Sequence, residues 1–265
     1  MTRIIIHAGF HKTGTTGLQD FLRLNRAALA GHADIYLGQQ LGEARRAGRL
    51  YGERPWFARR RHFQRSFDAF LATIPDADTI LISRESFSGA MPGATRFGRS
   101  ITGYGRVAET LARDILTAFQ TRFGTTAQIE FLYTTRAKPA LLQSIWGHHL
   151  RTKQLTDDLG RFTARFAKAP PLDTEAARIA TALAPVPVHI APLEDAANHR
   201  LGHGATILRL LHIDPATWDH FQPPIDRYTG PSDELRATFL QMNRSQQDTA
   251  DLRAQKEALY KGEGT

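Results

Sequence analysis

One short stretch near the N-terminus, "HAGFHKTGTTGLQ" (residues 7–19), carries side chains suited to hold a phosphate-like anion. It joins a strand-like run to an apolar helix, so backbone N–H groups and the positive helix end should surround the anion. Loops that bind ATP or GTP have a lysine directly after their second glycine and then a hydroxyl for magnesium. Here Lys12 precedes Gly14. The order predicts an anion-binding loop and disfavours a metal-assisted NTPase.

The order Lys12-Thr13-Gly14-Thr15-Thr16, followed by an apolar helix, resembles the 5′-phosphosulfate loop of sulfotransferases that use 3′-phosphoadenosine 5′-phosphosulfate (PAPS). The resemblance implies that Lys12 lies against the oxygen bridging phosphate and sulfate. It also implies that the cofactor-binding residues include Thr13, Gly14, Thr15 and Thr16. A fixed ammonium suits this chemistry, because sulfuryl transfer leaves negative charge on the departing phosphate oxygen. The resemblance implies no metal.

PAPS also carries a 3′-phosphate, so an enzyme that uses it needs a second anion site. The family builds that site from an arginine at the end of a strand and a serine about two helical turns later. By resemblance, "FLYTTRAKPALLQS" (131–144) supplies Arg136 and Ser144. Eight residues are close to two helical turns, and a guanidinium offers paired donors to phosphate. The expected product is adenosine 3′,5′-bisphosphate.

Transfer to a hydroxyl or amine also needs a base close to the sulfur. The run "ISRESF" ends a predicted strand, so Glu85 should project at the carboxyl edge of the sheet, where ligands of α/β proteins bind. Glycan-modifying sulfotransferases that resemble this chain place a glutamate in this neighbourhood. Glu85 is therefore the first candidate for the base, although an ion pair with Arg84 is an alternative. His11, directly before Lys12, is the second candidate, and it could instead shape the loop.

The sequence contains no convincing metal-binding pattern. The 11 histidines form no H-E-x-x-H motif, and the sequence has no acidic loop of the calcium type. We therefore expect no metal site.

The elements that must position these residues alternate between β-rich and helix-periodic runs, which is typical of a parallel sheet covered by helices. The strand-like runs are 3–10, 34–38, 78–85, 127–136 and 186–195. The clearest helical runs are 15–29, 105–123 and 139–152. The sequence predicts an α/β fold with about five parallel strands, and the family resemblance implies the P-loop-like sulfotransferase fold. We expect a single domain over 1–265, with irregular acceptor-side segments near 42–66 and 153–173.

Charge and composition limit the kinds of ligand and the cellular location that we expect for the protein. Lys plus Arg exceed Asp plus Glu by 34 − 26 = 8, so the surface should favour anionic ligands. The absence of cysteine excludes disulfides and thiolate chemistry. No run approaches the roughly 18 apolar residues of a membrane span, and the N-terminus lacks the pattern of a signal peptide. We therefore expect a cytoplasmic protein without an integral membrane segment.

Arginines are concentrated in the segment 42–66. They are Arg45, Arg46, Arg49, Arg54, Arg59, Arg60, Arg61 and Arg65. Two interpretations are open: a solvated helical face on which arginine stems cover apolar surface, or a binding surface for an anionic acceptor.

Together these features favour a bacterial-type PAPS-dependent sulfotransferase acting on a small-molecule or glycan acceptor, which could be a glycolipid. A P-loop kinase or nucleotide hydrolase is the main alternative, and it predicts magnesium dependence. A PAPS-binding protein without catalysis is another. We expect no nucleic-acid partner, although Trp56, Phe57 and Phe63 among the arginines keep a base-stacking module open.

Overall fold

The computed structural model describes residues 1–96, 98–224, 230–245 and 249–263. The strands are β1 Arg3–His7, β2 Asp34–Leu37, β3 Thr79–Ser83, β4 Thr95–Arg96, β5 Arg99–Ser100, β6 Gln128–Thr135 and β7 Val188–Pro192. The first helices are α1 Thr15–Leu24, α2 Arg26–Leu29, α3 Ala44–Glu53, α4 Phe57–Leu71, α5 Gly105–Phe123 and α6 Lys138–Thr152. The later helices are α7 Leu159–Ala164, α8 Leu172–Leu183, α9 Leu193–Ala197, α10 Gly204–Leu210, α11 Asp233–Ser245 and α12 Ala250–Glu263. Short 3₁₀ helices cover Gly38–Leu41, Glu85–Ser88 and Pro215–His220.

The main sheet has five parallel strands in the order β2-β3-β1-β6-β7. Each strand coincides with one of the strand-like runs of the sequence, and helices flank the sheet. The predicted α/β class is therefore confirmed. β1 lies at the centre, with Ile4, Ile5 and Ile6 fully buried, as expected for a strand covered on both faces. β4 and β5 form a separate antiparallel pair.

The chain divides into two compact units. The first comprises Met1–Ala137 and Pro170–Arg227 and contains the sheet. The second comprises Lys138–Ala169 and Tyr228–Thr265.

Within the first unit, alternate residues of each strand face opposite sides of the sheet. On one side, Ile5 and Leu132 belong to a core shared with Phe21 of α1 and Leu208 of α10. An aromatic cluster adds to the buried core of this unit, with Phe67 at 5.5–5.8 Å from the rings of Phe63, Phe70, Phe87 and Phe119. This packing fixes the strand ends on which the candidate site is built.

The arginine-rich segment is helical over most of its length, in α3 and α4, where the sequence suggested irregular structure. Two glycines of α3 lie where this helix meets another backbone. A Cβ atom on Gly48 would lie 2.5 Å from the Ser86 carbonyl oxygen, and one on Gly52 would lie 2.1 Å from the Ala90 nitrogen. The two glycines therefore let α3 lie directly against the backbone that follows β3.

The arginines of this segment differ in their surroundings. Arg60 Nε and Nη2 donate to the Asp114 carboxylate at 2.9 and 2.8 Å, which ties α4 to α5. Of the three aromatic side chains considered for base stacking, Phe63 is fully buried, whereas Trp56 and Phe57 are exposed.

The second unit is a set of helices held by a buried lysine. Lys256 Nζ donates to the carbonyls of Leu150 and Lys153 and to Asn243 Oδ1, each at 2.8–2.9 Å. The C-terminal segment of this unit forms α11 and α12, and Ser232 Oγ accepts from the Leu235 N–H at the start of α11. Across the described residues of the chain, no helix combines the length and apolar character needed to cross a membrane.

Candidate functional site

The loop between β1 and α1 turns through two residues with left-handed backbone. Lys12 has a φ of 67° and Gly14 a φ of 87°. Glycine is required at position 14, because a Cβ atom there would lie 2.8 Å from Leu193 Cδ1 and 2.9 Å from His203 Cδ2. For a lysine this conformation costs about 1–2 kcal/mol, and such strain is concentrated at functional sites. The surrounding structure therefore holds Lys12 in a conformation that its own sequence does not favour.

α1 begins directly after this loop. Its first intrahelical bond runs from the Leu18 N–H to the Gly14 carbonyl, at 3.1 Å. The N–H groups that precede Leu18 have no carbonyl to reach within the helix, and together with the helix dipole they favour an anion. The Thr16 side chain is exposed at this end, whereas Thr15 is buried and its hydroxyl donates to the Phe10 carbonyl at 3.3 Å.

The Thr13 hydroxyl belongs to a fully buried chain of hydrogen bonds. It donates to the Phe10 carbonyl at 2.6 Å and accepts from the Thr134 hydroxyl at 2.6 Å. Thr134 accepts in turn from His7 Nε2 at 3.3 Å, and His7 Nδ1 accepts from the Ser83 hydroxyl at 2.7 Å. Every donor in this chain has an acceptor. The Thr13 side chain therefore braces the loop from inside the sheet, with none of its surface exposed.

Two buried histidines stand behind the loop. Burial, with a smaller effect from the charge of His203, lowers the pKa of His7 from 6.5 to about 3. Burial also lowers the pKa of His203, whose Nε2 donates to the Thr13 carbonyl at 3.0 Å. Both imidazoles are therefore neutral hydrogen-bonding groups near pH 7. Thr134 and His203 follow Thr13 by 121 and 190 residues. No local sequence pattern pointed to either partner.

His11 is held by Tyr104, a residue that sequence reasoning missed. The Tyr104 oxygen accepts from the His11 backbone N–H at 2.8 Å and lies 3.1 Å from His11 Nδ1. Since the tyrosine hydroxyl has one proton to give, donation to Nδ1 satisfies all three groups and leaves the imidazole proton on Nε2. The backbone N–H groups of Tyr104 and Gly105 donate to the buried carboxylate of Glu175 at 3.2 Å. His11 is thus held through α5 and α8.

Glu85 belongs to the same site as His11, because its charge is one of those that shift the pKa of His11. Desolvation is the largest cause that lowers the pKa of His11, to about 4, while the Glu85 carboxylate acts in the opposite direction. Lys12, Arg49 and Arg84 add to the lowering. His11, Lys12 and Glu85, predicted separately, are therefore close enough to influence one another electrostatically.

Glu85 begins the 3₁₀ turn after β3 and is partly exposed. Its Oε1 lies 3.4 Å from Arg84 Nη1, so the expected ion pair is present, with 22% of the Glu85 side chain exposed. Gln19 of α1 reaches the same carboxylate, because its Nε2 lies 3.4 Å from Glu85 Oε2 and 3.3 Å from the Ser83 carbonyl. Gln19 was not predicted as a site residue. Its place one turn into α1, facing the strand end, is visible only in the fold.

Arg136 follows β6 and lies beside the loop. Its Nη1 donates to the Lys12 carbonyl at 3.2 Å. Its proposed partner Ser144 lies on α6, in the second unit, and is partly buried.

The loop, Glu85 and His11 all lie at the carboxyl edge of the parallel sheet, where α/β proteins bind ligands. The arrangement combines donors for an anion, a fixed lysine and a carboxylate that can accept a proton. Among the residues that the structure describes, no group of three or more His, Asp or Glu side chains could hold a metal ion. No protein-family model matches this chain, and no curated protein matches its sequence. The functional assignment therefore rests on the geometry of the chain itself.

Proposed function

We propose that this chain is a sulfotransferase that moves the sulfuryl group of PAPS to a hydroxyl or amine of an acceptor. The observation that carries the proposal is the backbone of the first loop. Lys12 is held in a left-handed conformation two residues before Gly14, and α1 opens directly after that glycine. The loop rather than the first helical turn thus carries the ammonium group, as the order of residues in the sulfotransferase family requires.

Two side chains divide the chemistry between them. Glu85 takes the proton of the acceptor as the new bond to sulfur forms. Lys12 stabilises the negative charge that grows on the 5′-phosphate oxygen as its bond to sulfur breaks. The products are the sulfated acceptor and adenosine 3′,5′-bisphosphate, and the proton is left on Glu85.

The surroundings of His11 favour Glu85 as the base. The His11 Nδ1 lone pair already accepts a hydrogen bond from Tyr104, and the lowered pKa of about 4 makes the ring a weak base. A neutral imidazole with its proton on Nε2 is instead a hydrogen-bond donor. We assign His11 that role, toward an oxygen of the transferring group.

Arg136 is proposed to hold the 3′-phosphate. The hydrogen bond from Arg136 to the Lys12 carbonyl supports this, since it puts the guanidinium beside the loop at the carboxyl edge of the sheet. An arginine presents donors in a fixed fork that suits phosphate. The role of Ser144 stays a prediction from the family resemblance.

A P-loop kinase or nucleotide hydrolase is the alternative. Such enzymes use a hydroxyl directly after the lysine to bind magnesium. Thr13 follows Lys12, but its hydroxyl is buried and donates to the Phe10 carbonyl. This difference favours the sulfotransferase.

Nucleotide binding tests the proposal. Adenosine 3′,5′-bisphosphate should raise the melting temperature without magnesium and more than ATP does, because two anion sites are proposed. A tenfold tighter ligand adds about 1.4 kcal/mol at matched saturating concentrations. Arg136→Ala should remove the preference for the 3′-phosphorylated nucleotide, while Arg113→Ala, on the exposed side of α5, serves as the control. Equal shifts with ATP, or a strict need for magnesium, would contradict the assignment.

A further inference from the structure

A cleft of about 500 Å³ opens in the first unit between the α1–α2 region and the end of β2. Gln19, Arg23 and Arg26 line it on one side, and the turn Gly38–Gln40 lines it on the other. This volume lies within the roughly 300–1,000 Å³ that is usual for sites of small ligands. The cleft therefore has room for a ligand of one or two rings.

The sheet register places this cleft next to the proposed base. Leu37, the last residue of β2, pairs with Ser83, the last residue of β3, and Glu85 follows two residues later. Gln19 joins the two features, because it lines the cleft and its Nε2 lies 3.4 Å from the Glu85 carboxylate. A molecule that contacts Gln19 from the cleft thus lies one side chain away from Glu85.

The side chains that line the cleft are mostly of polar types. Three of its seven residues are glutamines and two are arginines, while Leu37 is the one large apolar side chain. Amide groups both donate and accept, which matches the hydroxyls of a sugar ring. Guanidinium groups match carboxylate or sulfate. The stems of these side chains also expose apolar surface, on which the face of a sugar ring can pack.

The two arginines are held differently. Arg26 Nη1 donates to the Ile35 carbonyl at 2.9 Å, and Nη2 donates to Gln40 Oε1 at 3.0 Å. Both acceptors are neutral, and Arg26 forms no ion pair with any residue of the described part of the chain. Arg23 pairs with Asp20 and keeps 56% of its side chain exposed. Among the described residues, Arg26 therefore brings to the cleft a positive charge that is held by neutral acceptors and paired with no carboxylate.

We propose that this cleft binds the acceptor and that the acceptor is an anionic carbohydrate. Its acidic group contacts Arg26 and Arg23, its ring hydroxyls contact the glutamine amides, and one hydroxyl reaches Glu85. This inference rests on the proposed sulfotransferase function and adds the substrate class to it.

Binding of acidic oligosaccharides to the whole chain, saturated with adenosine 3′,5′-bisphosphate, tests the inference by titration calorimetry. The probes are short chains bearing glucuronate, galacturonate or sialate, each paired with its carboxyl-reduced form. At least one acidic chain should bind tenfold or more tightly than its reduced form. Arg26→Gln should abolish that difference, and Arg26→Lys, which keeps the charge, should retain most of it. Arg23→Gln should weaken binding several-fold.

Arg113→Gln is the matched control. Arg113 has 54% of its side chain exposed and pairs with Glu109 one turn away, as Arg23 pairs with Asp20. It should leave binding unchanged. Melting curves of every variant show that folding is retained.

Three outcomes would overturn the inference: no acidic chain binds, acidic and reduced chains bind equally, or a single-stranded oligonucleotide of equal charge binds more tightly. The affinity for adenosine 3′,5′-bisphosphate, measured in the same samples, distinguishes a wrong acceptor cleft from a wrong sulfotransferase assignment. Nucleotide binding without carbohydrate binding would refute the cleft alone. Failure of the wild-type chain to bind the nucleotide would refute the proposed function.

Discussion

The two halves of the candidate site are built in opposite ways. Behind the anion loop, Thr13, Thr134 and His7 are fully buried and joined by hydrogen bonds, of which the two at Thr13 measure 2.6 Å. Around Glu85, the contacts from Gln19 and Arg84 measure 3.4 Å, and the groups are partly exposed.

This contrast matches the two tasks that we propose. A loop that stabilises developing charge works best when its donors are fixed beforehand, because they then need no rearrangement during the reaction. A base must exchange protons with a changing acceptor and with water, so weaker contacts suit it. Rigid anion binding and an adaptable proton acceptor can thus share one edge of a sheet.

The largest effect on turnover should come from a substitution of Glu85, in the adaptable half of the site. Glu85→Gln keeps the shape of the side chain and removes its basicity, so kcat should fall about 10²- to 10⁴-fold while the affinity for adenosine 3′,5′-bisphosphate barely changes. Turnover of an identified acceptor and nucleotide titration measure the two quantities. His11→Asn is the comparison variant. Near-normal kcat in Glu85→Gln together with a collapse in His11→Asn would move the base role to His11.

In the rigid half, the anion loop, substitution of Lys12 should lower turnover more than it weakens nucleotide binding. Lys12→Ala removes a charge whose contribution grows in the transition state, so kcat should fall about 10²- to 10³-fold. The dissociation constant of adenosine 3′,5′-bisphosphate should change much less. Single-turnover kinetics measures the rate of transfer, and calorimetry measures the dissociation constant of the nucleotide. An equal loss in binding and in rate would mean that Lys12 holds the ground state as strongly as the transition state.

Substitutions in the two halves of the site should also differ in how much they lower the free energy of unfolding. Thr13→Val deprives Thr134 of its acceptor and leaves the Phe10 carbonyl with the longer bond from Thr15, so the free energy of unfolding should fall by roughly 2–3 kcal/mol. Gln19→Leu removes only long, partly exposed contacts and should change it by under about 1 kcal/mol. Urea denaturation measures both variants. Similar losses would show that the contrast in hydrogen bonding has no energetic meaning.

The pH dependence of stability tests whether the buried His7 is neutral. Its pKa is about 3 in the folded chain and 6.5 without burial. Between these values the unfolded chain binds the extra proton, so stability is lost as the pH falls below about 6.5. From pH 8 to pH 5 this loss is about 2 kcal/mol for His7. His7→Gln should flatten the pH profile by that amount, whereas His32→Gln, at an exposed position, should not.

The strands and the loop could be predicted because their signals are local. Short continuous apolar runs mark the strands, and the order of Lys12 and Gly14 marks the loop within a few positions. Glu85 could be named as a candidate because the end of a strand in an α/β protein faces the ligand edge. In each case the candidate residue and the strand or helix that carries it lie next to each other in the sequence.

The supporting contacts could not be predicted, because they join residues far apart in the chain. Tyr104 and Glu175 act on His11 from 93 and more residues away. The approach of α3 to the turn after β3 depends on glycines that, in the sequence, look like breaks in a helix. Only the fold shows that Gly48 and Gly52 are places where two backbones touch.

The hydrogen bond from His203 to the Thr13 carbonyl has a consequence for how the protein is made. The anion loop leaves the ribosome well before its bracing partners, Thr134 and His203, which follow Thr13 by 121 and 190 residues. Contacts of such long sequence separation slow folding, because distant parts of the chain must meet first. The loop therefore acquires its final shape only after His203 has been synthesised, and a nascent chain that stops before His203 carries the residues of the loop without the contact that braces it.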